Sequence, residues 1–443
     1  MHLTLKDKIR LSGNVTAVRE PNRPDVPAQA DPGVISRVSE MLSAIEARGL
    51  DAVREYASEL DGWTGGTDFE ITPKAAERLV AELPVELREA LDAGSERTGN
   101  FARMQRDRLS DFEAEVVPGV HCGQRYVPVE TVGAYLPAGR FPLLASAFMT
   151  VGVARAAGVS KVLSCTPPSR NGQVHPAVLY AAQISGTERI FALGGVQALA
   201  AMAFGLLDAD PADMLVGAGN AFVAEAKRQL HGRVGIDVLA GPSEVAVIAD
   251  EQANAAMVAA DLLAQAEHGP TSPACLVTTS ARLAADVERE IQQQLSGLAT
   301  REVAGASWRD WGSIYLVDSP RTAVEVMDLL APEHLEILTE DPDYYLQNLR
   351  NYGSLFLGEW STVAYADKGM SGTNHVLPTG RGARYTGGLS VARFLKQLTY
   401  QRATREATEI QAGPTVVISD FEQMPAHRDS AQLRLDLVRG RRT

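Results

Sequence analysis

From about Arg125 onward the chain alternates short β-branched or apolar runs with Ala-rich segments of helical periodicity, and no other feature restricts the fold as much. The runs are YVPVETVGAYLP, KVLSCTP, RIFAL, DMLVG and VGIDVLAGPSEVAVIAD, followed by ACLVTTS, SIYLV, HLEIL and SLFLG. Strands separated by helical segments of roughly ten to fifteen residues favour parallel pairing, because each crossover returns the chain to the edge from which it left. The expectation is an α/β chain with two Rossmann-like parallel-sheet domains. Helical periodicity from Val34 to Leu60 and from Pro73 to Arg108 predicts a helical cap on this body. The expected boundaries are an N-terminal arm over 1–30, ending in the Pro-rich PNRPDVPAQADPG, and a first α/β domain over 31–134 plus 244–388. A second Rossmann-like domain covers 135–243 and a C-terminal tail 389–443. The tail, SVARFLKQLTYQRATREATEIQ and beyond, reads as mostly helical; too short for a core of its own, it should dock on the body or on another subunit.

Charge and cysteine usage narrow the function. With 42 basic against 55 acidic residues the formal charge is −13, which argues against nucleic acid or an anionic membrane as the main partner. The N-terminal MHLTLKDKIRLSGNVTAV lacks the continuous apolar core of a signal peptide, and no run of about 18 apolar residues predicts a membrane span. Cys122, Cys165 and Cys275 are widely spaced and never form CxxC. That pattern fits a reducing cytoplasm and excludes both a disulfide framework and a thiolate zinc site, so any metal must be held by His, carboxylate or amide groups. Their apolar or strand-like settings suit buried structural thiols better than nucleophiles.

Four stretches carry residues able to do chemistry. QAEHGP places Gln265 and His268 three apart at the end of a predicted helix, where they share a face at the negative end of the helix dipole. They read equally as a cation site or as a surface Gln with a capping His. Gly-containing turns follow three strands (LGGVQALAAMAFG, GAGNAFVAEAKRQL, AGPSEV) and could bring backbone amides to a dinucleotide phosphate, but none is GxGxxG and tight structural turns explain them as well. APEHLEI sets Glu333 beside His334 at a helix-to-strand junction, a pairing suited to proton transfer. The polar, Gly-rich YADKGMSGTNHVLPTGRGARYTGG contains Asp367, Asn374, His375, Arg381 and Arg384, and a loop so equipped inside a compact protein points to function. On the tail, Glu422 and His427 read by themselves as solvated surface.

Taken together, VGAYLPAGR, GGVQALAAMAFG, GNAFVAEAK, DLLAQAEHGP, PEHLEI, GTNHVLPT and a C-terminal Glu followed after four residues by His resemble the histidinol dehydrogenase family over nearly the whole chain, in the family's order. The resemblance implies a zinc ion held by Gln265, His268, Asp367 and His427. His427 would come from the other subunit of a homodimer whose helical tails are exchanged. It also implies Glu333 and His334 as the acid/base pair, Ser243, His375 and Glu422 as substrate contacts, and Tyr135, Gln197 and Asn220 as NAD contacts. Two positions depart from the family pattern: Asp367 precedes His375 by eight residues where seven is expected, and GAGN stands where GPGN is expected. The segments GRFPLLASAFMTV, EWSTVAYADKG and GRGARYTGGLSVARFLKQLTYQ are more similar to the sulfopropanediol dehydrogenase branch than to the histidine-biosynthetic one.

The implied activity is a zinc- and NAD-dependent, four-electron oxidation of a primary alcohol through an aldehyde to a carboxylate. The substrate would be 2,3-dihydroxypropane-1-sulfonate or a similar small polar alcohol, with L-histidinol as the alternative. For a sulfonate, Lys368, Arg381 and Arg384 are the candidate cations. A zinc hydrolase using Glu333 to activate water is the reading from a different class.

Overall fold

A computed structural model of the chain describes residues 1–4, 7, 10–23, 31–64, 68–138, 141–168 and 173–441. Most of the Pro-rich part of the expected arm, residues 24–30, and Gly139 and Arg140 of the VGAYLPAGR motif lie outside them. The chain divides into two compact units, residues 1–106 with 129–394, and residues 107–128 with 395–443.

Among the described residues, the strands of the larger unit are β1 (Val15–Arg19), β4 (Thr131–Tyr135), β5 (Lys161–Thr166), β6 (Arg189–Ala192), β7 (Met214–Val216), β8 (Gly235–Ile236), β9 (Val245–Ala249), β10 (Ala274–Thr278), β11 (Gly312–Val317), β12 (His334–Leu338) and β13 (Ser354–Leu357). They form two sheets, β6-β5-β4-β7-β8 and β1-β11-β10-β9-β12-β13. Every pairing is parallel except β1 with β11, which is antiparallel. With β1 set aside, the two sheets have the same order, third-second-first-fourth-fifth in chain sequence. Each therefore reverses direction once, between β4 and β7 in one sheet and between β9 and β12 in the other. In open α/β sheets such reversals open a crevice. The two parallel sheets expected from the alternating pattern are present.

The cores follow from side-chain alternation. Along β9, Val245, Val247 and Ala249 join the helices Ala255–Ala266, Ala281–Gly297 and Arg301–Trp311 on one face. Ala246 and Ile248 turn to the opposite face with Val326, Met327 and Leu330, as the two-residue period of a strand requires. The expected helix over 34–60 is two helices, Pro32–Arg48 and Leu50–Asp61, broken at Gly49, whose φ of 59° suits glycine. Both pack on the five-stranded sheet, with Val38, Ile45 and Val53 in one core with Leu163, Phe191 and Leu215. These two helices, expected in one domain with the segment 244–388, share a core with the other sheet: amphipathic periodicity shows that they bury a face, but not which sheet receives it.

The smaller unit holds an antiparallel sheet, β14-β3-β2, of β2 (Phe112–Val117), β3 (Val120–Pro128) and β14 (Leu395–Ala403), and the helices Thr408–Phe421 and Pro425–Val438. The tail expected to be helical from Ser390 to Gln411 contains β14 instead. Apart from Leu395, β14 is exposed, so burial leaves no pattern in its sequence and backbone pairing with β3 decides its form. No helix among the described residues is long and apolar enough to cross a membrane.

Candidate active site

The helix Ala255–Ala266 starts where Asn254 accepts a hydrogen bond from the Ala256 amide, and it buries Val258, Ala259, Leu262, Leu263 and Ala266. Gln265 shares this buried face. It is 2% exposed, and neither its Oε1 nor its Nε2 has a hydrogen-bond partner. A buried amide left unpaired costs free energy, so its retention on an apolar helix face marks a position built for a ligand. His268 lies just past the helix end, its amide donating to Gln265 O at 3.2 Å.

Glu333 and His334 sit where the chain enters β12. Helix Pro320–Leu330 ends at Ala331 in a left-handed conformation, and the strand starts two residues beyond Pro332. His334 pairs in register with Val245, the first residue of β9, so this pair occupies the amino edge of the six-stranded sheet beside its reversal point. Glu333 Oε2 accepts from Ser243 Oγ at 2.7 Å and from the Glu244 amide at 2.9 Å. His334 Nδ1 is 3.0 Å from the Glu244 carbonyl oxygen and 3.4 Å from Glu333 Oε2. Both are acceptors, so Nδ1 carries the hydrogen and the neutral ring presents a bare Nε2. That Nε2 is buried and has no partner. Burial works to lower the His334 pKa, but the Glu333 carboxylate, with further help from Asp367 and the Glu244 carbonyl, carries it to about 9, so Nε2 is bare only in the fraction of molecules that have lost this proton, a fraction that grows as pH rises toward 9. An imidazole with one face anchored and the other nitrogen open, backed by a carboxylate, can accept and return a proton.

Asp367 ends the short helix Val363–Asp367 and reaches both neighbouring imidazoles, with Oδ2 3.5 Å from His268 Nε2 and Oδ1 3.7 Å from His375 Nδ1. Burial acts to raise its pKa, yet His375, His334, His268 and Lys368 hold it below the ordinary carboxylate value. The additional residue between Asp367 and His375 does not separate Asp367 from His268. Gly369, at φ 78°, turns the chain where a Cβ would stand 2.5 Å from the Phe148 ring, so the loop folds back tightly. His375 is partly buried, desolvation lowers its pKa, and its Nε2 is 3.4 Å from Ser146 Oγ.

Ser243, His268, Glu333, His334, Asp367, Lys368 and His375 line one cavity of about 370 Å³, with Leu143, Phe148, Ala218 and Gly219 among its other walls. No group of three or more His, Cys, Asp or Glu side chains among the described residues is arranged to hold a metal. The donors that do approach one another are a histidine and a carboxylate, with the unbonded amide of Gln265 three residues before the histidine. Oxygen and nitrogen donors of these types are the kind that zinc binds.

Ala218 and Gly219 belong to the turn after β7. Tyr135, the last residue of β4, lies across the reversal point from that turn, and Asn220 caps the helix Ala221–Leu230 through Oδ1. Burial raises the Tyr135 pKa to about 12, and its hydroxyl accepts from the Gly195 amide at 3.3 Å. Gln197 Nε2 donates to Asp61, which also accepts from the Gly194 amide, while Gln197 Oε1 is buried and unpaired. The three expected NAD contacts thus lie at or beyond the carboxyl ends of β4, β6 and β7, and none of them lines the cavity, which reaches that edge at Ala218 and Gly219 and the amino edge of the other sheet at Glu333 and His334. Glu422 and His427 lie on the smaller unit, both exposed.

Three acidic residues of the site escaped the sequence reading. Glu244 bonds Glu333 and His334 through its backbone, and its own carboxyl, pushed up to about 7 by burial and the Glu333 charge, accepts from the Gly380 amide. The adjacent Ser and Glu of AGPSEV were the available signal. Glu336, fully buried, feels the charge of the half-buried Asp261. Glu336 Oε1 accepts from the Val363 amide, and Asp261 Oδ1 from Thr362 Oγ1, so together they tie the Gln265 helix, β12 and the Asp367 helix.

The model of the family described as histidinol dehydrogenase matches residues 25–435. A histidinol dehydrogenase homolog of Shouchella clausii is 46% identical over 90% of this chain and 93% of its own. The sulfopropanediol 3-dehydrogenase of Ruegeria pomeroyi is 44% identical over 90% and 91%. The histidinol dehydrogenase of Methanosarcina mazei is 40% identical over 90% and 91%. The crystal structure of the Elizabethkingia anophelis histidinol dehydrogenase superposes with a TM-score of 0.89 at 31% identity, over 99% of this chain and 98% of that one. This chain belongs to the histidinol dehydrogenase family, a family of dehydrogenases.

Proposed function

We propose that the protein oxidises a small anionic primary alcohol through its aldehyde to the carboxylate, reducing two NAD molecules in turn. The observation that carries this reading is the buried Glu333–His334 pair opening onto the same cavity as His268 and Asp367. Gln265, His268, Asp367 and, from the tail of a second subunit, His427 would hold zinc. Bound there, zinc supplies Lewis acidity toward the substrate oxygen, and NAD at the β4–β7 reversal supplies the hydride acceptor.

The residues of the chain handle protons and position. In the first oxidation His334 Nε2 takes the hydroxyl proton while hydride leaves the carbinol carbon. Glu333, oriented by Ser243 and the Glu244 amide, takes a proton from the water that adds to the aldehyde. His334 then removes the hydrate's hydroxyl proton as the second hydride departs. The sum is RCH₂OH + H₂O + 2 NAD⁺ → RCOO⁻ + 2 NADH + 3 H⁺.

The substrate's charge is read from the cavity wall. Of the three cations considered from sequence, Lys368 lines the cavity. Arg381 donates to the Leu329 carbonyl and pairs with Asp7, and Arg384 donates to the Arg381 carbonyl. Lys368 thus favours an anionic alcohol such as 2,3-dihydroxypropane-1-sulfonate, as does similarity to a protein named sulfopropanediol 3-dehydrogenase. The test offers that diol and L-histidinol to the zinc-loaded enzyme and counts NADH formed per alcohol consumed. About two from the sulfonate supports the reading. Turnover of L-histidinol alone overturns the substrate, and no NADH from any primary alcohol overturns the reaction in favour of a hydrolase.

A further inference from the structure

The turn that brings Ala218 and Gly219 to the cavity is held from beneath by two charges withdrawn from water. Lys227, on the helix Ala221–Leu230, and Asp237, just past β8, form an ion pair with side-chain exposures of 3% and 0%. Each also bonds one end of a single residue. The Gly217 amide donates to Asp237 Oδ2 at 2.7 Å, and Lys227 Nζ donates to the Gly217 carbonyl at 3.0 Å. Gly217 follows β7 with φ 119°, and a Cβ on it would lie 2.1 Å from the Tyr135 carbonyl oxygen. The clamped residue is therefore pressed against the end of β4, on the line where the strand order reverses.

As a device for stability alone this arrangement is poor. Desolvating two charges offsets most of their mutual attraction, and well-packed apolar side chains commonly do as well. What the pair provides, and an apolar pair cannot, is a donor and an acceptor aimed at both ends of one residue. Fixing Gly217 fixes the direction in which Ala218, Gly219 and Asn220 leave the sheet.

We propose that Lys227 and Asp237 are positioning residues for the redox reaction, holding the Gly217–Asn220 turn in the shape that receives the dinucleotide. The proposal rests on the reading of NAD at the β4–β7 reversal. It requires no contact between either side chain and the cofactor; both act through the Gly217 backbone.

The experiment compares wild type, Lys227→Met, Asp237→Asn and the double variant Lys227→Met/Asp237→Leu as zinc-loaded enzymes. It measures KM for NAD, KM for the alcohol, kcat, melting temperature and amide exchange across residues 214–223. The expected result is a KM for NAD raised roughly tenfold or more in Lys227→Met and in the double variant, with KM for the alcohol and kcat at saturating NAD within about threefold of wild type. Asp237→Asn keeps an acceptor for the Gly217 amide and should lie between. Amide exchange over 214–223 should accelerate in Lys227→Met without NAD present. Folded variants with unchanged KM for NAD and unchanged exchange overturn the proposal. So does a double variant that restores wild-type KM for NAD, or failure of all three variants to fold, since either assigns the pair to stability. If wild-type enzyme does not reduce NAD, the proposed function fails, and the exchange measurement still decides whether the pair orders the turn.

Discussion

His334 Nδ1 lies 3.0 Å from the carbonyl oxygen of Glu244, the residue that precedes its register partner at the start of β9. Backbone pairing of two strands thus sets the direction in which the His334 imidazole faces. His334→Asn keeps a donor toward that carbonyl but removes the open Nε2. It should lower kcat by about 10²- to 10⁴-fold while zinc content, read by atomic absorption, stays at the wild-type level. A variant with wild-type kcat would remove His334 from the reaction.

Glu333→Gln retains an oxygen to accept from Ser243 and Glu244 but cannot take a proton from water. The second oxidation should suffer more than the first. With an aldehyde trap present, NADH formed per alcohol should fall from about two toward one, and an unchanged ratio assigns water activation to another group.

The proposed sharing of His427 between subunits predicts complementation. In a mixed dimer of His334→Asn and His427→Ala chains, one site carries both defects and the other carries neither. Random reassortment makes half the dimers mixed, so two nearly inactive proteins should recover about a quarter of wild-type activity. If each site uses its own chain's His427, mixing recovers nothing.

Lys368→Gln should raise KM for 2,3-dihydroxypropane-1-sulfonate roughly five- to tenfold and leave KM for an uncharged diol of the same length unchanged. Equal effects on both would mean that Lys368 shapes the loop and does not read charge.

Glu336 links stability to pH. Burial, with the Asp261 charge adding, pushes its pKa up to about 8 in the folded chain. The folded protein therefore keeps a proton that the unfolded chain releases above the ordinary carboxyl value. The stability this gives is fully present below the unfolded pKa. It is lost as pH rises toward 8, with a slope of about 1.4 kcal/mol per pH unit. Glu336→Gln, neutral at every pH, should flatten the denaturation midpoint between pH 5 and 8, and an unaltered slope would place the proton elsewhere.

The contrast between β12 and β14 shows what could be read from the residues. HLEIL is buried at every position, and its apolar run, next to a helix stop, is enough to place Glu333 and His334 at a helix-to-strand junction. LKQLTYQRA buries only Leu395, so no periodicity announces a strand; the partner that makes it one lies in β3, more than 250 residues earlier. The helix Ala255–Ala266 is legible for the same reason as β12. Gln265 acquires meaning only from being unpaired on a buried face, and spacing carries no information about pairing. Glu244, Glu336 and Asp261 went unseen because an acidic residue reads as surface until folding removes its water.

The cavity joins the carboxyl edge of one sheet to the amino edge of another built in the same strand order. The parts that would meet the nucleotide and the parts that move protons are consequently anchored in separate cores. Substitutions in the Asp367–His375 loop can retune which alcohol is accepted without disturbing the β4–β7 seam. Under the proposed function, such independence would let the accepted alcohol change while the redox chemistry stays the same.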